Sequence, residues 1–165
     1  MTRSAKIMLL GDIGVGKTSL AKRFVFDRFD SDYKTTIGVN ILTHDIALPA
    51  DCEGAPMRLV LWDTDGDFGQ TLFRTSYILG AAGAIVVADA TRASTIHQMS
   101  RLADAFEERF PGRPVSCVIN KVDLLNPAAP RPEGARQALL TSALTGAGVA
   151  ELFVATGAAI WRRGL

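Results

Sequence analysis

Cysteine occurs only twice in the 165 residues, at Cys52 and Cys117. Cys52 falls in a turn-rich stretch and Cys117 in an apolar run that reads as a strand, so the pair suggests two reduced thiols rather than a disulfide framework. Histidine is as scarce, and His97 reads as a surface or capping residue of a helix rather than a ligand. No block of like charge exists. Eighteen Lys and Arg stand against seventeen Asp and Glu, a net charge of +1, which gives no electrostatic reason to expect a nucleic acid or a membrane as partner. The longest apolar stretch, residues 80–90, is about half a bilayer span and reads as a buried strand with its lead-in. Residues 1–10 lack the small-residue cleavage site of a signal peptide. Residues 160–165 hold no cysteine for prenylation, and no segment is basic and amphipathic. The expectation is a cytoplasmic chain with no intrinsic membrane anchor. Repeats and low-complexity tracts are absent, and the length suits one domain spanning residues 1–165.

Apolar residues make up 48% of the chain and charged ones 21%, enough for one well-filled core. Short apolar runs at 6–10, 39–48, 57–62, 84–88, 115–119 and 138–141 read as strands, and the turn-rich residues 49–56 join the second and third as a hairpin. Helical spacing marks 17–26, 94–110 and 149–161, and 68–79 reads as a short helix. Trp62 and Trp161 read as packing residues. Strands alternating with helices predict an α/β fold. Its mostly parallel six-stranded sheet would carry one antiparallel edge strand, with helices on both faces. Between Asp123 and Ser142 there is hardly room for another helix, and Pro127, Pro130 and Pro132 disfavour one. That helix is expected to be shortened or missing, with the sheet edge near residues 138–141 thinly covered.

Residues 11–18, Gly-Asp-Ile-Gly-Val-Gly-Lys-Thr, fit the pattern G-x-x-x-x-G-K-[ST] after a strand and at the start of a helix. In such a loop the backbone N–H groups of Ile13, Gly14, Val15 and Gly16 can approach phosphate oxygens, aided by the positive end of the helix dipole. Lys17 would reach the β- and γ-phosphates, the Thr18 hydroxyl would ligate Mg²⁺, and Ser19 follows. This loop does not by itself distinguish ATP from GTP. Asn120-Lys121-Val122-Asp123 directly follows the strand 115–119, at the edge where open α/β sheets bind ligands. The Asp123 carboxylate can accept two hydrogen bonds from the N1–H and exocyclic amine of guanine, a donor pair that adenine lacks. The Lys121 stem can cover one face of the base, and backbone amides of Ser142, Ala143 and Leu144 can reach the guanine oxygen.

In these motifs the chain resembles a Ras-superfamily small GTPase, a P-loop G domain closest in wording to the Rab branch. The likeness adds Thr36-Ile37-Gly38-Val39 and Trp62-Asp63-Thr64-Asp65-Gly66, which resemble the two switches, and Ala90-Thr91-Arg92. It implies GTP or GDP as ligand with one Mg²⁺. It implies that Phe29 packs on the guanine edge, Tyr33 closes over the γ-phosphate, Thr36 binds Mg²⁺ and γ-phosphate, Asp63 holds Mg²⁺ through water, and the Gly66 N–H senses the γ-phosphate. Lys17, Thr36 and Gly66 would then serve hydrolysis. Effectors and regulators would dock on residues 30–40 and 63–79. Abundant Ala and Arg lean toward a bacterial member, whose relatives often work with roadblock-type regulators.

Two departures bear on catalysis. Asp67 stands where the family has its water-positioning glutamine, with Asp65 just before Gly66, and Ile13 is bulky where Ras has glycine. Asp67 can accept hydrogen bonds only and would repel phosphate oxygens, so slow hydrolysis is expected unless Asp67 serves as a general base. A nucleotide-binding module with negligible turnover is the alternative. Both Asp65 and Asp67 can equally face solvent. The Asp67-Phe68-Gly69 likeness to a kinase motif is coincidental, because no H-R-D loop accompanies it.

Overall fold

The computed structural model describes residues 2–31, 38–130, 132 and 137–164. Alternation along the first strand explains why the sheet is covered on both sides. In β1 (Arg3–Gly11), Ile7 and Leu9 pack with one core and Met8 and Leu10 with the other, as the two-residue period of a strand requires. The chain continues through α1 (Lys17–Phe26), β2 (Val39–Ala47), β3 (Pro56–Thr64), β4 (Gly83–Asp89), α2 (Ala93–Arg109), β5 (Val115–Asn120), β6 (Leu139–Leu140) and α3 (Val149–Arg162). The strand order is β2-β3-β1-β4-β5-β6. All pairs are parallel except β2 with β3, so the six-stranded, mostly parallel sheet with one antiparallel edge is as expected.

One core lies against α1 and α3, where Leu20, Leu152 and Phe153 meet Leu59, Ile85 and Val87. The other lies against α2, through Met99, Leu102 and Phe106 on one helical face. Strand β4 is buried along its whole length, which is why its residues 84–88 are continuously apolar rather than alternating. Neither cysteine forms a disulfide, and both are buried. Cys52 is a core residue at 1% exposure, because the hairpin loop folds into a short 3-10 turn, Ala50–Cys52, that tucks it inward.

Residues 68–79 do not form the single helix expected from their composition. They form two 3-10 stretches, Gly66–Arg74 and Ser76–Ile78. Gly69 breaks the first at φ 47 and ψ −133, a conformation open to glycine alone. Thr75 then adopts an extended backbone and starts the second by accepting a hydrogen bond from Tyr77 N. Between β5 and β6 the described residues hold a 3-10 turn, Val122–Leu124, and no α-helix. Leu139 and Leu140 of β6 are 45% and 38% exposed, so this sheet edge is thinly covered, as the short connection implies.

Candidate functional site: a nucleotide cavity at the carboxyl edge of the sheet

The carboxyl ends of β1, β3 and β5 open onto one cavity of about 680 Å³, a volume in the range of small-molecule sites. Its floor is the loop from Gly11 to Thr18. Glycine is required at Gly11 (φ 147), where a Cβ would come within 2.4 Å of the Val87 carbonyl oxygen, and at Gly16 (φ 102), where it would meet Asn120 Nδ2 at 2.3 Å. Gly16 is also the N-cap of α1, and the first turn of that helix has no acidic residue. The positive end of its dipole is therefore presented without compensation to whatever occupies the cavity.

Lys17 is 6% exposed. Its ammonium folds back to donate to the carbonyl oxygens of Gly11 (2.8 Å) and Asp12 (2.9 Å). Burial lowers its pKa from 10.5 to about 8, against the opposing charges of Asp63, Asp12 and Asp65. A phosphate beside it would supply the counter-charge that burial withholds.

Next to Lys17, Thr18 Oγ1 donates to Asp63 Oδ2 at 2.5 Å. Asp63 is 1% exposed, and burial pushes its pKa up, while the Thr18 hydrogen bond and the Lys17 charge hold it down. Its other oxygen, Oδ1, is buried and has no hydrogen-bond partner among the described residues. An orphaned buried carboxylate oxygen is costly, and a hard cation would satisfy it. A carboxylate and a hydroxyl at a phosphate loop suit Mg²⁺, which takes few protein ligands and fills its octahedron with waters and phosphate oxygens. Asp63 and Thr18 thus fit that ion.

At the far end of the cavity stand Asp123, Lys121, Leu124, Ala143, Leu144 and Phe29. The Ser142 hydroxyl donates to Asp123 Oδ1 at 2.7 Å and so orients the carboxylate. Asn120 joins the two ends. Its Nδ2 donates to Val15 O (3.1 Å), and its Oδ1 accepts from Thr141 Oγ1 (3.0 Å) and from Ala143 N (3.2 Å). Lys121, in the left-handed region at φ 67, donates to Gly14 O at 2.7 Å and pairs with Asp89 at 2.9 Å. Burial pushes the Asp89 pKa up, but hydrogen bonds from Thr91, Lys121 and Arg92 outweigh it and hold the carboxyl at about 2.

Residues 6–123, more than two thirds of the chain, match the family described as Ras of Complex, Roc, domain of DAPkinase. The chain belongs to this family. A Roc domain is a GTPase domain of the Ras superfamily, and the match spans the phosphate loop, Asp63–Gly66 and Asn120–Asp123. Strand β6, helix α3 and the loop Ser142–Leu144 lie beyond it.

Within this Roc domain, Ile13, Gly14, Gly16, Lys17, Thr18, Ser19, Phe29, Gly66, Asn120, Lys121, Asp123, Ala143 and Leu144 all line the cavity. Val15 and Ser142 are buried behind it and contribute through Asn120 and Asp123. Tyr33 and Thr36 lie outside the described residues. A Cβ on Gly66 would meet Ile13 N at 2.5 Å and Asp12 C at 2.8 Å, so the start of the 3-10 stretch Gly66–Arg74 rests directly on the phosphate loop. Asp65 lines the cavity and accepts from Asp67 N at 2.9 Å, which caps the 3-10 stretch. Asp67 and Gln70 are exposed and outside the lining.

Sequence reasoning missed Lys22, Asp30, Ser31, Thr64 and Leu124 of the lining, and left open whether Asp65, which does line it, faces solvent. Lys22 was within reach: it is four residues after Thr18 on α1, hence on the same helical face. Its pairing with Asp30 at 3.4 Å was not. Arg23 was also missed, although it fixes the base loop from behind by donating to Ala143 O (2.8 Å) and Leu144 O (2.6 Å). No helix among the described residues is long and apolar enough to cross a membrane.

Proposed function

We propose that this Roc domain is a guanine-nucleotide-dependent switch that binds GTP or GDP with one Mg²⁺ and hydrolyses GTP slowly. The observation that carries the reading is the pairing of opposite chemistries at the two ends of one cavity. One end holds the buried, partnerless Asp63 Oδ1 beside Thr18 and Lys17. The other holds an oriented Asp123 carboxylate. A guanine base read by Asp123 would send its phosphates along the loop 13–18. The loop N–H groups, Lys17 and the α1 terminus would neutralise them, with catalysis by positioning and charge rather than by a covalent group. Thr18, Asp63 and, outside the described residues, Thr36 would hold Mg²⁺, which neutralises phosphate charge when bound.

Slow turnover follows from Asp67. An exposed carboxylate outside the cavity is poorly placed to orient an attacking water, and as an acceptor it has no proton to offer the transferring group. Ile13 adds bulk beside Gly66. Turnover on the order of 10⁻⁴ per second, the unassisted rate of such domains, is the expectation. The placement of Asp67 also favours the second reading, a nucleotide-holding module with negligible turnover. Effector and regulator proteins, a roadblock-type regulator among them, would read residues 30–40 and 63–79. Exposed Tyr77 and Leu79 in the latter segment offer apolar contact.

Nucleotide content of the purified protein with single-turnover hydrolysis of GTP tests the proposal. Bound guanine nucleotide, slow hydrolysis, and a faster rate in Asp67→Gln support it. Guanine nucleotide with no measurable turnover even in Asp67→Gln selects the module. Wild-type turnover near one per second, or its abolition by Asp67→Gln, would make Asp67 a catalytic group and overturn the account of it.

A further inference from the structure

The phosphate loop is held from behind as well as shaped from within. A trans peptide fixes each carbonyl opposite the N–H of the next residue. A donor that pins a loop carbonyl outward therefore turns the following N–H inward. Asn120 does this for Val15 O and Lys121 for Gly14 O. The preceding carbonyl, Ile13 O, receives Nη2 of Arg92 at 2.7 Å across 79 positions of sequence. Arg92 is well built for the task. Its Nε donates to Asp89 Oδ2 at 3.1 Å, the carboxylate that also holds Lys121. Its backbone is fixed by Arg92 N to Asp89 O at 3.0 Å and by Thr95 Oγ1 to Arg92 O at 2.7 Å. A guanidinium held at Nε has its remaining donors aimed by its own planarity.

We propose that Arg92 is a positioning residue of the phosphate site, which pins the Ile13 carbonyl and thereby points the Gly14 N–H at the nucleotide phosphates. The inference rests on the nucleotide-binding reading of the same cavity. Arg92 touches no ligand itself and acts through the peptide between Ile13 and Gly14. A charge-assisted bond of this length on a side chain 42% exposed belongs at the low end of such interactions, about tenfold in affinity. Arg92→Lys keeps one donor but loses the fork that spans Asp89 and Ile13 O, so it restores part of the effect.

The test measures GDP affinity and dissociation rate for wild type, Arg92→Ala and Arg92→Lys, and follows the Gly14 and Ala143 backbone amides by NMR in each GDP complex. Arg92→Ala should weaken GDP about tenfold, mainly through faster dissociation. Its Gly14 amide proton should lose the downfield shift of a phosphate-bonded donor while Ala143 stays in place, and Arg92→Lys should fall between. Unchanged GDP affinity with an unmoved Gly14 amide in Arg92→Ala overturns the inference alone. So does a loss of affinity that displaces Gly14 and Ala143 alike, since that is general loosening. Failure of the wild type to bind GDP overturns the nucleotide reading, and this inference with it.

Discussion

Raising the pH from 7 to 9 should weaken GDP binding about tenfold, and Lys17 is the reason. Its ammonium is buried at 6% exposure with a pKa pushed down from 10.5 to about 8. That shift corresponds to roughly 3 kcal/mol of penalty for keeping the charge in the nucleotide-free domain. The sign is set by which state holds the proton. Below pH 8 Lys17 is charged in folded and unfolded chains alike, and the full penalty applies. Between about 8 and 10.5 the unfolded chain keeps a proton that the folded one has lost, so this contribution to the stability of the empty domain rises with pH. Binding runs the opposite way. Phosphate oxygens favour the ammonium, so GDP draws a proton onto Lys17 and affinity falls as that proton becomes scarce.

With a free-state pKa of about 8, proton uptake on binding should climb from about a tenth of a proton at pH 7 to about nine tenths at pH 9. Isothermal titration calorimetry in two buffers of different ionisation enthalpy reads that uptake directly, at fixed Mg²⁺ and salt. Lys17→Met should bind GDP weakly with little remaining slope, which separates Lys17 from ionisation of the guanine itself. A flat affinity from pH 7 to 9 with no proton uptake would refute the reasoning, as would an equal slope in Lys17→Met.

Three further outcomes follow from the same geometry. Asp123→Asn should weaken guanine and favour xanthine by on the order of 10²-fold, and competition between GDP and xanthosine diphosphate for a labelled nucleotide measures it; an unchanged preference for guanine would count against the base-reading role. Asn120→Ala removes one hydrogen bond to the phosphate loop, at Val15 O, and two to Thr141 and Ala143 and should cost about 3 kcal/mol, or roughly 6–12 °C in Tm by calorimetry; a Tm within about 2 °C of wild type would show the loops are held otherwise. Gly66→Ala puts a methyl into the phosphate-loop backbone, 2.5 Å from Ile13 N, and, if the Gly66 N–H senses the γ-phosphate as proposed, should lower GTP affinity more than GDP affinity; equal losses for both nucleotides would refute that role.

The phosphate loop was legible because its chemistry is local: the glycines, Lys17 and Thr18 are adjacent, and the strand before and helix after them have their own periodicity. Asp123 was legible because the strand that delivers it is largely apolar and buried toward its end. The supporting contacts were not. Lys121 reaches Gly14 across 107 positions, Asn120 reaches Val15 across 105, and Arg23 reaches Ala143 across 120. Those pairings exist only once parallel strands bring the loops together at one sheet edge, and no short-range pattern encodes them. Residues 68–79 misled for another reason. Their composition fits a helix, but backbone angles at Gly69 and Thr75 divide them, and a glycine's choice among its allowed conformations is made by tertiary contacts.

Asp89 behind the phosphate loop and Lys17 on its cavity face answer pH in different windows, and this lets the parts of the site be told apart. Asp89 is held at about 2, since the hydrogen bonds from Thr91, Lys121 and Arg92 outweigh its burial. Its stabilising contribution is therefore complete above the ordinary carboxylate range and is lost only as pH falls toward 2. The Asp89 carboxylate behind the brace to Gly14 therefore keeps its charge at any pH well above 2. Lys17, on the inner face of the same loop, changes charge near pH 8. An alkaline loss of nucleotide then reports the phosphate-facing side of the loop, and an acid loss reports its support. A single loop held by a fixed ion pair behind and a titrating ammonium in front keeps its shape while its affinity is tuned.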